Sequence, residues 1–173
     1  THISDLKAFG LLVDLAMQGS GTGAVLEKGV VANLPEVTNK LEIVESRPVG
    51  TDKTRSPDTV VDTLLPSGIV NLRVGDSRQG WCDAYQLLIN WAHEGLASHD
   101  GHIRIVLDLS NVRPSGERLK GFGGTSNPVK LEDAFRKVVD ILNGAVGRKL
   151  STIEACLLID EAATAVVAGN IRR

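Results

Sequence analysis

Arg113, Arg118 and Lys120 lie just ahead of Gly121, Gly123 and Gly124, in the run Asp108-Leu-Ser-Asn-Val-Arg-Pro-Ser-Gly-Glu-Arg-Leu-Lys-Gly-Phe-Gly-Gly-Thr-Ser-Asn-Pro128. These residue types in this order can hold an oxyanion. Glycine lets backbone N–H groups come close to a charged oxygen. Arginine matches phosphate geometry with two parallel donors. A β-rich run, His102–Leu109, leads into the stretch, and a helical pattern starting near Leu131 leaves it. A helix N-terminus adds partial positive charge at that point. The chemistry predicted is therefore binding of a phosphate-bearing ligand at residues 113–128.

A second candidate is Asp76-Ser77, at the start of the strongest helical pattern, where Trp81, Ala84, Tyr85, Leu88, Trp91, Ala92 and Gly95 share one face. Either residue can cap that helix, and either can meet a sugar hydroxyl. Gly19-Ser-Gly-Thr-Gly23 is a third candidate and a second glycine run, but no Gly-Lys-Ser/Thr follows it, so it is no P-loop and reads first as a helix-stopping turn. His93, His99 and His102 lack metal spacing and read as polar surface. Asp160-Glu161 reads as a solvated face. Cys82 and Cys156 are far apart, without CxxC spacing, and read as buried free thiols in a reducing compartment, with a metal pair or disulfide as the alternative.

The elements that position these residues follow from periodicity. Ser4 is expected to cap a helix to about Gln18, with Leu6, Phe9, Leu12, Val13, Ala16 and Met17 as its stripe. Ala24–Leu26 with Gly29–Ala32, then Leu41–Val44, read as strands. Residues 47–57 read as an exposed polar loop. Val60–Leu65 fits strand or short helix, and Ile69–Val74 fits a strand. Phe135, Val138, Val139 and Leu142 mark a helix ending at Asn143-Gly144. Ser151-Thr-Ile-Glu154 is a capping box opening a helix to about Ala168, with Ile153, Leu157, Leu158, Ala162, Ala165 and Val166 on its buried side. Strands and helices joined by glycine turns give an α/β class.

Composition excludes several functions. The 173 residues carry a net charge of −2 and only 3% aromatics, which argues against a nucleic-acid platform or an anionic membrane surface. No apolar run is long enough to span a bilayer, and 42% hydrophobic residues suit a globular chain. The sequence starts at Thr1 and stops at Arg173, after Gly169-Asn170, and reads as an internal piece of a longer chain.

These motifs carry a resemblance. Leu107-Asp-Leu-Ser-Asn-Val-Arg-Pro114 with Gly116-Glu-Arg-Leu-Lys-Gly-Phe-Gly-Gly-Thr-Ser-Asn-Pro128 is similar to the effector-loop region of adenosylcobalamin-dependent (class II) ribonucleotide reductases. Ala165-Val-Val-Ala-Gly-Asn-Ile-Arg-Arg173 resembles their second specificity loop. Gln18–Gly23 resembles their glycine turn, and Gly75-Asp-Ser-Arg-Gln-Gly-Trp81 a motif of the monomeric branch. The resemblance implies part of a ten-stranded α/β barrel with an inserted effector-binding subdomain. Residues 1–33 would be barrel-side, 34–104 the insert imitating a dimer partner, and 105–173 the specificity loops and barrel helices.

By the same resemblance, Asp76, Ser77, Arg78, Arg113, Arg118, Lys120, Gly121, Gly123 and Gly124 would bind a deoxynucleoside triphosphate effector. Gly169, Asn170, Arg172 and Arg173 would report its identity to the ribonucleotide substrate. Adenosylcobalamin would serve the full cytoplasmic enzyme, with contacts outside this segment. The radical and redox cysteines would also lie outside, so the segment regulates a reaction that it does not perform. Where the family has Ser-Gly-Pro, this chain has Ser126-Asn127-Pro128; asparagine tolerates the left-handed turn. A free-standing nucleotide-binding regulatory module is the alternative, and a structural scaffold segment with vestigial loops is another.

Overall fold

The computed structural model describes residues 1–64, 68–96, 101–117 and 128–165. Their elements are α1 (Lys7–Met17), α2 (Lys28–Val31), β1 (Lys40–Arg47), β2 (Val60–Leu64), β3 (Ile69–Arg73), α3 (Arg78–Glu94), β4 (His102–Asp108), α4 (Pro128–Gly144) and α5 (Thr152–Ala165). The four strands form one sheet in the order β1-β4-β3-β2. β4 is parallel to both β1 and β3, and β2 is antiparallel to β3. The stretch 60–65, open between strand and helix in the sequence, is a strand because Val60 pairs with Arg73 and Leu64 with Ile69.

β3, α3 and β4 form a β-α-β crossover, so both strands end on the same edge of the sheet. Alternation places Ile103, Ile105 and Leu107 on the face that joins the helical core, and all three are buried. α3 supplies Leu88, Ile89 and Trp91 to that core, and α4 supplies Leu131, Phe135 and Val138. A fully buried leucine or isoleucine contributes roughly 2 kcal/mol relative to exposure. α3 is buried on more than the expected stripe, since Cys82, Ile89 and His93 are covered too. α1 lies along it, tied by Gln86, which accepts from the Gly10 N–H at 2.9 Å and donates to the Leu6 carbonyl at 3.0 Å.

The opposite face carries Arg104, Val106 and Asp108. At the strand ends Arg47, Asp108 and Arg73 stand in one row across β1, β4 and β3. The Asp108 side chain is 2% exposed, and one of its oxygens takes both guanidinium groups at 3.3 Å. Its other oxygen accepts the Ser110 N–H at 3.0 Å. Burial pushes this carboxyl up, but hydrogen bonds from Ser110 and Arg73 and the charge of Arg47 outweigh it and hold the group below the usual range. The edge strand β1 is shielded by a side chain. Asn143 accepts the Leu41 N–H at 2.8 Å and donates to the Leu41 carbonyl at 2.7 Å.

Several expectations are corrected. Ser4 caps nothing: α1 starts at Lys7, whose N–H is taken by Asp5 at 2.8 Å. Residues 24–32 form a single bridge, His2 to Val25, followed by α2, because this short apolar run never meets a strand long enough to pair with. His93 is buried rather than on the surface. The Thr38–Asn39 turn covers the end of α3, with Thr38 donating to the His93 carbonyl at 2.8 Å. Burial lowers the pKa of its imidazole. Ile153 and Leu157 are 72% and 42% exposed, whereas Ala155, Leu158, Ala162 and Ala165 are buried. α5 is apolar on two faces, and the smaller-residue face is the one that packs. Cys156 is half-buried rather than buried. The capping box forms as read, with Ser151 N–H on Glu154 at 2.8 Å and Glu154 N–H on Ser151 Oγ at 3.2 Å.

Asn143→Ala leaves both Leu41 groups without their partner and is expected to cost about 2 kcal/mol, read from the denaturant midpoint. Glu154 provides a pH signature. The hydrogen bond from Arg148 draws its carboxyl from the usual 4.5 down to about 2, against burial and with help from Ser151. A folded value below the unfolded one stabilises at higher pH. This contribution is therefore complete above about pH 4.5 and is lost as pH falls toward about 2. Glu154→Gln should flatten that limb of the stability–pH curve.

Candidate functional site

Where β3 and β4 end, their continuations stay side by side. Val74 N–H bonds to the Asp108 carbonyl at 2.9 Å. Two residues beyond Val74 comes Asp76, and it meets Arg113, 37 residues away in sequence. Asp76 Oδ1 accepts the Arg113 backbone N–H and Nε, each at 3.0 Å. Oδ2 accepts Nη2 at 2.9 Å. The side chains are 4% and 15% exposed, so this is a buried, forked ion pair. The pair fixes the arginine's orientation.

Ser77 resolves the capping question. Its Oγ accepts the Gly80 N–H at 2.9 Å and donates to the Pro57 carbonyl at 2.6 Å. It is thus the N-cap of α3, while Asp76 is turned to the arginine. Thr59 adds a clasp, donating to the Gly80 carbonyl at 2.6 Å and accepting the Gly75 N–H at 3.0 Å. The two glycines are sterically required. A Cβ on Gly75 would lie 2.2 Å from the Pro57 carbonyl oxygen, and one on Gly80 would lie 2.8 Å from it. Only the absence of a side chain lets the 55–59 segment lie against the start of α3.

The loop over residues 47–57 is more than an exposed connection. Asp52 N–H bonds to the Ser110 carbonyl at 3.0 Å, and Asp76 N–H to the Ser56 carbonyl at 2.8 Å. Arg55 forks onto Glu117 at 2.6 and 2.8 Å, which raises the arginine's pKa. Asp52 is lowered by hydrogen bonds from the Thr54 side chain and backbone. Sequence reading missed Arg55, Thr59 and Glu117 as site-forming residues. No spacing rule links them, because they meet only through the strand ends.

Of the residues predicted for the site, Asp76, Ser77 and Arg113 come together. Arg78 turns to α1 and pairs with Asp14 at 3.1 Å. Arg118, Lys120, Gly121, Gly123 and Gly124, and also Gly169, Asn170, Arg172 and Arg173, lie outside the described residues. Among the described residues no cluster of His, Cys, Asp and Glu could hold a metal ion, and no helix is long and apolar enough to cross a membrane. Among the described residues, cavities of about 10 and 50 Å3 are lined mainly by apolar side chains.

The fold and sequence that carry this pair match a known group of proteins. The model of the B12-dependent ribonucleotide reductase insertion domain matches residues 45–142. The chain belongs to that family. The adenosylcobalamin-dependent ribonucleoside-triphosphate reductase of Lactobacillus acidophilus is 31% identical over 178 residues, and that of Lactobacillus leichmannii 30% over 174. Each match covers 95% of this chain and 23% of the relative, so the chain spans just under a quarter of their length. A crystal structure of a B-12 dependent (class II) ribonucleotide reductase superposes with a TM-score of 0.75 at 28% identity, covering 95% of this chain and 24% of that one.

Asp76→Ala would leave the Arg113 guanidinium buried without a counter-charge. The expected cost is about 3–5 kcal/mol in chemical denaturation. The Asp76→Ala/Arg113→Ala double variant should lose clearly less than the sum of the two single changes, since no stranded charge remains.

Proposed function

We propose that this chain is a segment of an adenosylcobalamin-dependent ribonucleoside-triphosphate reductase, and that it carries the site through which a deoxynucleoside triphosphate selects the ribonucleotide to be reduced. The observation carrying this reading is the Asp76–Arg113 pair. It joins two separate motifs at the ends of adjacent parallel strands, a place where α/β sheets take ligands. Arg113 is the phosphate-binding group, held ready by Asp76 so that an oxyanion meets an already oriented guanidinium. Asp76 and Ser77 border the sugar. Arg118, Lys120, Gly121, Gly123 and Gly124 complete the effector side. Gly169, Asn170, Arg172 and Arg173 pass its identity to the substrate. Arg78, paired with Asp14, steadies the start of α3 beneath them.

In this reading the inserted subdomain that stands in for a dimer partner runs on past residue 104, because β4 is an inner strand of the sheet that holds β1 and β3 and the insertion-domain match extends to residue 142, and the segments flanking it join a ten-stranded α/β barrel. The full enzyme acts in the cytoplasm, and its cobalamin supplies the radical outside this segment. The cysteines here are unsuited to act as the reducing pair. Cys82 is buried, and burial pushes its thiol up to about 12. Cys156 is also raised, by burial and by Asp160, whose carboxylate lies 3.8 Å away. Thiolate chemistry needs the opposite shift. The segment's work is therefore coupling: one ligand's binding free energy biases a second site.

The test is calorimetric titration of the full-length chain with dATP, dGTP, dCTP and dTTP. Binding of at least one is expected, weakened about 100-fold or more in Arg113→Ala, in line with losing a charged, bidentate contact. Undiminished binding in that variant would remove the site from this place.

A further inference from the structure

The tripeptide Arg55-Ser56-Pro57 touches both sides of the candidate site at once. Through its backbone it holds the start of α3: the Ser56 carbonyl takes the Asp76 N–H at 2.8 Å, and the Pro57 carbonyl takes the Ser77 hydroxyl at 2.6 Å. Through its side chain it holds the other strand's exit, because Arg55 forks onto Glu117 at 2.6 and 2.8 Å. Glu117 is the residue immediately before Arg118 in the sequence, at the mouth of the glycine-rich stretch. The segment between Arg113 and Glu117 is a tight turn, with Gly116 at φ 90°.

Arg55 is held under strain. Among the described residues it is the one non-glycine with positive φ, at 47°. A non-glycine residue keeps that conformation only where its surroundings over-determine it. Here they do, through the fork to Glu117 on one side and the Gly75 and Gly80 packing of Pro57 on the other. The fork itself is open to water, its side chains being 42% and 38% exposed. Exposed ion pairs add little to stability. Its geometry constrains position instead: any shift of the α3 start moves residues 56 and 57, and Arg55 delivers the shift to Glu117.

We infer that Arg55 and Glu117 are positioning residues that carry effector identity from the Asp76–Ser77 side to the chain entering the glycine-rich stretch. This rests on the effector reading above. The variants are Arg55→Glu, Glu117→Arg and the exchanged pair R55E/E117R, in the full-length chain. The readouts are effector affinity by titration and the product ratio from an equal mixture of the four ribonucleoside triphosphates. Each single variant is expected to keep effector affinity within about threefold while effector-directed discrimination falls about tenfold, and the exchanged pair should recover most of it.

Single variants that discriminate as well as the parent would overturn the inference. So would an exchanged pair no better than the singles, or singles that lose effector affinity as fully as Arg113→Ala. Should the charge reversals fail to fold, R55Q/E117Q decides, since it strands no charge: lost discrimination supports the link, and retained discrimination ends it. Lost binding therefore reports on Arg113, and lost discrimination at retained binding reports on this pair.

Discussion

A carboxylate sealed beneath a sheet must be matched or it cannot stay charged, and Asp108 imposes that condition on three strands. Its single shared oxygen needs Arg47 from β1 and Arg73 from β3, both at 3.3 Å. The strands must therefore finish level with one another, as the pairing of Arg47 and Arg73 with Asp108 records. Once β3 and β4 finish level, their continuations run together, and Asp76 arrives opposite Arg113. The site is a consequence of that alignment: one buried charge sets the strand ends, and the strand ends set a second buried charge pair. Each carboxylate is satisfied by arginine and by a backbone N–H, the combination that makes an interior ion tolerable.

α3 acts as the rigid member behind the site. Ser77 caps it, the 55–59 segment is pressed on its first turn, and its body is buried against α1, α4 and the sheet. Ligand contacts on such a helix start are precise because the helix cannot tilt independently of the core. The strap over it is a loop, but one whose carbonyls and hydroxyls are engaged at Asp76, Ser77, Gly75 and Gly80.

The long periodic elements were readable from residues alone. α3, α4, α5, β3 and β4 all fall within a few positions of where periodicity puts them, and the capping box at Ser151 forms as its pattern requires. What local pattern could not reveal was which of two apolar faces packs. On α5 Leu158, Ala162 and Ala165 are buried as read, but Ile153 and Leu157 on the other apolar side are exposed, and hydrophobicity alone does not choose between the two sides. The buried His93 was hidden for a similar reason: its cover comes from Thr38, far off in sequence. At the site, Asp76, Ser77 and Arg113 stood out by type, yet their division of labour did not. Capping and a ligand contact were both open to Asp76, and its pairing with Arg113 became visible only in the fold. The Arg55–Glu117 fork left no trace in spacing because it spans 62 residues of chain.

Asn143 has a meaning beyond the fold. A sheet edge is a template on which any extended peptide can add itself. At Leu41 the template is already occupied, since an amide side chain offers the same donor and acceptor that a neighbouring strand would. One residue of α4 thereby imitates a strand at the point where β1 faces outward. An intruding chain would have to displace both of these bonds before pairing there, so the helix acts as a gatekeeper against misassembly as well as a layer of the core.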